Sequence, residues 1–214
     1  MIALLVAQIA LASTAAAAAD GSANVEQRRA VAEFAQCVLR THPVSVSRFV
    51  LSNEETETAF ERTSDLMDPE CYPVAADGTV TLDTNVPMLR YAFAEALLRA
   101  NRPAALSEPR KIGPLQHGVA EGKNVDAKRF NIAASEFGDC VVRAASAQAD
   151  ALLRSEIGSA AETAALQGLQ PAFSGCVPAG SKFVLAPETV RGTIALNYYR
   201  LAKAAEVQMG ALRP

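Results

Sequence analysis

The sequence predicts a mainly α-helical protein made of two similar disulfide-linked units, with at most a short pair of strands. Apolar residues recur at helical spacing, four cysteines fall into two pairs of similar separation, and short motifs of the first half return in the second. Half of the 214 residues are hydrophobic, 20% are charged, and the net charge is −3. This composition excludes collagen-like and disordered chains, and it disfavours nucleic acid as a partner.

The N-terminal segment, residues 1–19, differs from the rest of the chain. No charged side chain precedes Asp20, residues 2–11 form a short apolar run, and residues 13–19 are all small. A short apolar run that ends in Ala-x-Ala is typical of a secretory signal peptide. A membrane anchor is the alternative, but no basic stop-transfer cluster follows the run. We therefore expect cleavage before Asp20, a periplasmic or secreted protein, and no membrane span after cleavage.

The cysteines mark two units along the chain. Cys37 and Cys71 are 34 residues apart, and Cys140 and Cys176 are 36 residues apart. The motif Glu-Phe-x-x-Cys-Val-x-Arg surrounds the first cysteine of each pair, and Cys-x-Pro begins at the second. An ordered series of matches that needs only small gaps indicates a tandem duplication. The sequence thus predicts a signal peptide at 1–19, repeat 1 at 20–100, a linker at 101–128 and repeat 2 at 129–214.

The duplication favours one disulfide pairing among the three that four cysteines allow. If the units arose by duplication, each carries its own bond, Cys37 with Cys71 and Cys140 with Cys176. Export would place the chain where disulfides form. A bond between the units and four buried free thiols are the alternatives.

Each unit begins with an amphipathic helix, since apolar residues such as Phe34 and Val38, or Phe137 and Val141, recur at helical spacing. Four further features follow in the same order in both units. They are a second helix at 43–51 and 144–153, a third at 54–67 and 159–169, a short extended segment at 79–82 and 182–185, and a last helix from Pro87 and from Pro187.

Two separate cores are expected, one in each unit. The first is predicted to contain Phe34, Val38, Leu89, Phe93 and Leu97, and the second Phe137, Val141, Val190, Ile194 and Leu201. The segment between the units is rich in Pro and Gly with little periodic apolar content, which is typical of a solvated linker. Its basic residues could instead form a strap against an acidic partner.

The repeated motifs resemble those of a group of secreted proteins from sphingomonads and related alphaproteobacteria. These proteins carry F-x-x-C-V-x-R, then C-x-P, then an ending of the form L-R-G-x-x-A-E-x-L-Y-R. That ending occurs here in partly degenerate form at residues 89–99 and at 190–200. The resemblance covers nearly the whole chain after residue 19. It implies the repeated architecture and the exported compartment, and it implies no particular activity.

The sequence offers little catalytic chemistry. Only two histidines occur, so a His-rich metal site cannot form, and we predict no metal, no cofactor and no catalytic residue. His42 precedes a proline at a helix boundary and is interpreted as a capping or surface residue. His117 lies in the linker and is interpreted as a surface residue.

Six arginines in matching positions are the candidate ligand-binding residues. An arginine presents a planar fork of five N–H donors, so a related pair could hold a carboxylate or phosphate. Arg40 and Arg143 lie three residues past a cysteine on the same helix, where the fork could instead bind Glu33, Glu136 or unpaired carbonyls at the helix end, and this structural role is the favoured interpretation. The three pairs are Arg40 and Arg143, Arg90 and Arg191, and Arg99 and Arg200.

These observations favour an exported, non-catalytic helical repeat protein that binds an envelope macromolecule or a small anionic ligand in the periplasm. The alternative is an envelope hydrolase with a carboxylate and arginine site between the repeats. A buried carboxylate pair in a cleft between the repeats would favour the hydrolase, whereas a flat apolar or arginine-rimmed surface would favour the binding protein.

Overall fold

The computed structural model describes residues 24–53, 56–73, 82, 84–101, 103–122, 124–177 and 185–211. Within these residues the protein is mainly α-helical and contains no strand, which confirms the predicted class. The predicted signal peptide lies outside the described residues, as do the predicted extended segments apart from Leu82 and Leu185. The described α-helices are α1 (24–41), α2 (Pro43–Leu51), α3 (Thr56–Glu61), α4 (Val86–Asn101), α5 (Val125–Ala144), α6 (Ser146–Arg154), α7 (Ala160–Gly168), α8 (Gln170–Cys176) and α9 (Pro187–Ala211).

The second and last helices of each half follow the prediction, as does the third helix of the second half, but the third helix of the first half does not. In the first half α3 ends at Glu61, and a separate 3-10 turn follows at Ser64–Leu66. The hydroxyl of Thr63 donates to the carbonyl of Ala59 at 2.7 Å, a local bond that competes with helix continuation. In the second half α8 was not predicted, because Pro171 was interpreted only as a helix stop. It stands in the first turn of α8, where the missing N–H costs nothing.

The two halves share one hydrophobic core, so the prediction of two separate cores is wrong. Phe34 and Phe93 of the first half belong to the same buried cluster as Phe137 and Ile194 of the second. The cluster is continuous because α9 packs against both α4 and α5. At Gly138 the backbones of α5 and α9 approach so closely that a Cβ atom would lie 2.5 Å from the carbonyl oxygen of Thr193. The periodicity of each helix shows its apolar face but not which helix covers it.

Both predicted disulfide bonds are present. Cys37 of α1 is bonded to Cys71 in the 3-10 turn Pro69–Cys71, with their Cα atoms 5.5 Å apart. Cys140 of α5 is bonded to Cys176 at the end of α8, with a Cα separation of 5.7 Å. The alternatives of inter-unit bonds or free thiols are therefore wrong. Each bond fastens the first helix of a half to the segment that precedes its last helix.

The segment between the halves, predicted as a solvated linker, is largely exposed but also makes defined contacts with the second half. We call its described residues 103–122 the strap. Arg143 of α5 donates to the strap carbonyls of Pro109, Ile112 and Gly113 at 2.7–2.9 Å. The backbone N–H of Leu106 donates to the Tyr198 hydroxyl at 3.4 Å. Because Arg143 satisfies carbonyls that a Pro-rich chain cannot pair in a helix, the strap lies fixed against α5 and α9.

Among the helices that the structure describes, none has the length and apolar content to cross a membrane.

Candidate functional site

The six candidate arginines do not form one site. Arg40 is exposed at the end of α1. Arg143 holds the strap and also pairs with Asp139 at 2.7 Å. Arg200 donates to the carbonyl of Gln116 at 2.8 Å and to the side chain of Asn53, and burial lowers its pKa. Arg143 and Arg200 thus connect segments of the fold, whereas no such contact is seen for Arg40 within the described part of the chain.

Arg90 and Arg191 make the same contact in the two halves. Arg90 of α4 donates to the carbonyl of Ser52, just after α2, and its guanidinium lies 5.5 Å from the centre of the Phe49 ring. Arg191 of α9 donates to the carbonyl of Ser155, just after α6, at 2.9 Å. Each arginine therefore satisfies a carbonyl at the end of a preceding helix, as the structural interpretation predicts.

Arg191 is also the centre of a chain of alternating charges between the halves. Its Nε and Nη2 atoms donate to the two carboxylate oxygens of Glu95 at 3.0 and 2.7 Å, and its Nη1 donates to Glu162 at 3.0 Å. Arg28 of α1 pairs with Glu162, and Arg99 pairs with Glu95 at 2.6 Å. We call Arg28, Glu162, Arg191, Glu95 and Arg99, in that order, the charge chain. It begins and ends in an arginine.

The inner members of the charge chain, Glu162, Arg191 and Glu95, are buried. Burial disfavours the charged form of Arg191, but its hydrogen bonds and proximity to Glu95 and Glu162 outweigh this and raise its pKa. Burial would also raise the pKa of Glu162, yet hydrogen bonds from Arg28 and from the N–H of Gly158 reverse the direction and lower it. A buried pair of this kind is tolerated because every charge has partners.

The charge chain forms part of the wall of a cleft of about 400 Å³ between α1, α4 and the start of α9. On α1 the lining residues recur every three or four positions, so one face of the helix borders the cleft. On α4 the same holds from Met88 to Arg99. Arg28, Glu95, Arg99 and Arg191 all line it, whereas Glu162 lies behind them. Its volume is within the range of small-molecule sites.

A second polar cluster has the Ser, His and Asp composition of a hydrolytic triad, but its serine is not accessible to a substrate. His117 of the strap lies 3.0 Å from the Ser135 hydroxyl and 3.5 Å from an Asp139 oxygen. Ser135 is only 7% exposed, and the Asn197 amide lies 3.3 Å from its hydroxyl oxygen. The cavity that Ser135 lines is only about 40 Å³, too small for an acyl substrate, and the wider pocket of about 410 Å³ that His117 and Asp139 also line does not include Ser135. His117 is therefore a link between strap and α5, and its interpretation as a surface residue is wrong.

His42 stands at the N-cap position of α2, half-buried, with its ring nitrogens 3.4 Å from Asp65 and 3.2 Å from Asp68. No group of three or more His, Cys, Asp or Glu side chains in the described part of the chain could hold a metal ion.

Sequence reasoning found Arg99 and Arg191 but missed Arg28, Glu95 and Glu162 as members of the site. Arg28 and Glu95 are not repeated in the other half, whereas Glu162 matches Glu57 within the Glu-Thr-Ala motif of residues 57–59 and 162–164. Asn131 stands at the position equivalent to Arg28, and Leu196 at the position equivalent to Glu95. One local signal was available, because Glu95 and Arg99 are four residues apart on one helix face.

No protein-family model, curated protein or solved structure matches this chain. Its class is therefore defined only by its fold and site. It is a mainly α-helical, disulfide-bonded protein with an arginine-lined cleft between its two halves.

Proposed function

We propose that the protein binds a small anionic ligand in the cleft between its halves. The observation that carries this proposal is that the charge chain ends at Arg28 and Arg99, both of which line the cleft. Each contributes one terminal nitrogen to its glutamate, and a guanidinium has five N–H donors. A ligand carboxylate or phosphate could accept from the remaining donors.

The arrangement supports binding over the alternative of a carboxylate-based hydrolase. A general acid needs a carboxyl group whose pKa is raised toward neutrality. Glu162 has a lowered pKa, and Glu95 is held by Arg191 and Arg99. Two buried carboxylates, Glu95 and Glu162, do lie between the halves, but their oxygens already accept from arginines and from the N–H of Gly158. A concave site also fits a small ligand better than the flat surface of a macromolecular partner.

We also propose that the protein is exported to the periplasm and arose by tandem duplication. The disulfides are consistent with an oxidising compartment. The duplication is supported by the shared order of helices, by the equivalent disulfides, and by the equivalent contacts of Arg90 with Ser52 and Arg191 with Ser155. The resemblance to secreted alphaproteobacterial proteins agrees with both proposals.

Binding can be tested by thermal unfolding and isothermal titration with phosphate, succinate, benzoate and octanoate as probes. A ligand of the folded state raises the unfolding temperature, and tenfold excess over Kd stabilises by about 1.4 kcal/mol. We expect at least one probe to bind and Arg99→Gln to weaken that binding at least tenfold. Arg40→Gln, at an exposed candidate arginine outside the cleft, is the matched control. Failure of all four probes, or equal loss in both variants, would contradict the proposal.

A further inference from the structure

We infer that the cleft takes an organic monocarboxylate with an apolar tail. This inference rests on the proposed function and adds to it the class of ligand. The cleft has a charged part and an apolar part, and together they indicate the class of ligand.

The apolar part is built by small and medium side chains on facing helices. Val31 and Ala32 line the cleft from α1, and Met88, Ala92 and Ala96 line it from α4. Three of these five are alanines, so the two helices leave space where larger side chains would fill it. Val31, Ala32, Met88 and Ala92 are only partly buried, which leaves apolar surface for a ligand to cover.

The charged part lies farther along α4. Met88 and Arg99 are separated by eleven residues on one helix, which at the helical rise is about 16 Å. Glu95 and Arg99 occupy the C-terminal half of this face, and Met88 and Ala92 the N-terminal half. A ligand that uses both parts needs a polar head and an apolar body, the form of an amphipathic acid.

The charges that line the cleft favour a single negative charge on the ligand. The charge chain has three arginines and two glutamates, a surplus of one positive charge. Glu188 of α9 also lines the cleft and adds a carboxylate to its wall. A dianion would bring its second charge close to Glu95 or Glu188 without a further cation to neutralise it. A monocarboxylate that meets the remaining donors of Arg28 or Arg99 brings one charge and no second carboxylate that would need a further cation.

The test is isothermal titration of the purified protein with hexanoate, octanoate and decanoate, below the concentrations at which they form micelles. Each methylene that enters the apolar part should tighten binding roughly fourfold, so two carbons give roughly fifteenfold until the cleft is full. Octanol, which has the tail without the charge, and phosphate, which has charge without a tail, should each bind at least tenfold more weakly than octanoate.

Two variants test the charged part and the apolar part of the cleft separately. Arg99→Gln should weaken all three acids by a similar factor, because it removes a head contact and leaves Glu95 paired with Arg191. Ala92→Leu should leave hexanoate nearly unchanged and weaken decanoate at least tenfold, because it fills the apolar part. Arg40→Gln should change nothing.

The outcomes distinguish this inference from the proposed function. Binding of phosphate, succinate or the acids with no dependence on chain length would overturn the inference and leave the proposed function standing. Octanol bound as tightly as octanoate, or no binding by any probe, would overturn both. An equal effect of Ala92→Leu on hexanoate and decanoate would overturn the placement of the tail.

Discussion

Arg191 of α9 holds Glu95 of α4 in a bidentate pair, with Nε 3.0 Å from one carboxylate oxygen and Nη2 2.7 Å from the other. The pair joins the two halves at the centre of the fold. Bidentate geometry fixes the orientation of both planar groups, so this one contact sets the position of α9 against α4 as well as the wall of the cleft.

We predict that Glu95→Ala destabilises the protein by about 3–5 kcal/mol, because it leaves Arg191 buried with only part of its charge compensated. The matched control is Arg99→Ala, which removes the outer, 40% exposed partner of the same glutamate and should cost less than about 1 kcal/mol. Urea unfolding of both variants measures the two values. Equal losses would show that the buried pair has no special role in joining the halves.

A second prediction concerns Gly192, which lies against the Tyr91 ring at the cleft. A Cβ atom there would meet the ring at 2.5 Å. Gly192→Ala should therefore destabilise by about 1–3 kcal/mol through overpacking. Gly175→Ala, also inside a helix, meets nothing within 4 Å and should instead stabilise by about 0.5–1 kcal/mol. The intrinsic helix gain is common to both, so the difference in unfolding free energy reports the contact with Tyr91. A stabilised Gly192→Ala variant would contradict this account.

Particular residues show which features of the fold could be predicted from the sequence. The helices containing Phe34, Phe137 and the prolines Pro87 and Pro187 could be predicted because periodicity and proline act within a few residues. The disulfides could be predicted because the spacing repeats. The pair of Glu95 with Arg191 spans 96 residues of sequence, and no local pattern links them.

The contacts of the strap could not be predicted from local sequence patterns either. Its prolines and glycines correctly indicate the absence of a helix over most of its length, but not that Arg143 would bind three of its carbonyls. Backbone groups outside helices still need partners, and which side chain supplies them depends on how the helices pack. The single core could not be predicted for the same reason. The sequence shows the apolar face of each helix but not the helix that covers it.

A third prediction follows from the lowered pKa of Glu162. Burial would raise this pKa, but bonds from Arg28 and the Gly158 N–H, with the nearby charge of Arg191, bring it below the ordinary value of 4.5. A carboxyl whose folded pKa is depressed stabilises the fold above its unfolded pKa, and the stabilisation is lost as pH falls through the folded value. Stability should therefore be maintained above about pH 5 and fall steeply below about pH 4.

Glu162→Gln tests this directly, because the amide keeps the shape but does not titrate. The difference in unfolding free energy between the wild type and this variant should be constant above about pH 5 and shrink toward lower pH. Glu156→Gln, at an exposed glutamate in the same half, is the control and should leave the profile unchanged. A wild-type profile that stays parallel to that of Glu162→Gln down to pH 3 would mean that Glu162 does not contribute through its charge.

The last prediction concerns the disulfide bonds, which close segments of 34 and 36 residues. Chain entropy gives about 4 kcal/mol for each bond, a large fraction of the stability of a typical domain. The double variants Cys37→Ala with Cys71→Ala, and Cys140→Ala with Cys176→Ala, should each lose about this amount. Because the halves share one core, each variant should still unfold in a single transition. Coincident urea curves from circular dichroism and tyrosine fluorescence would support this, whereas two separate transitions would indicate that each half unfolds on its own.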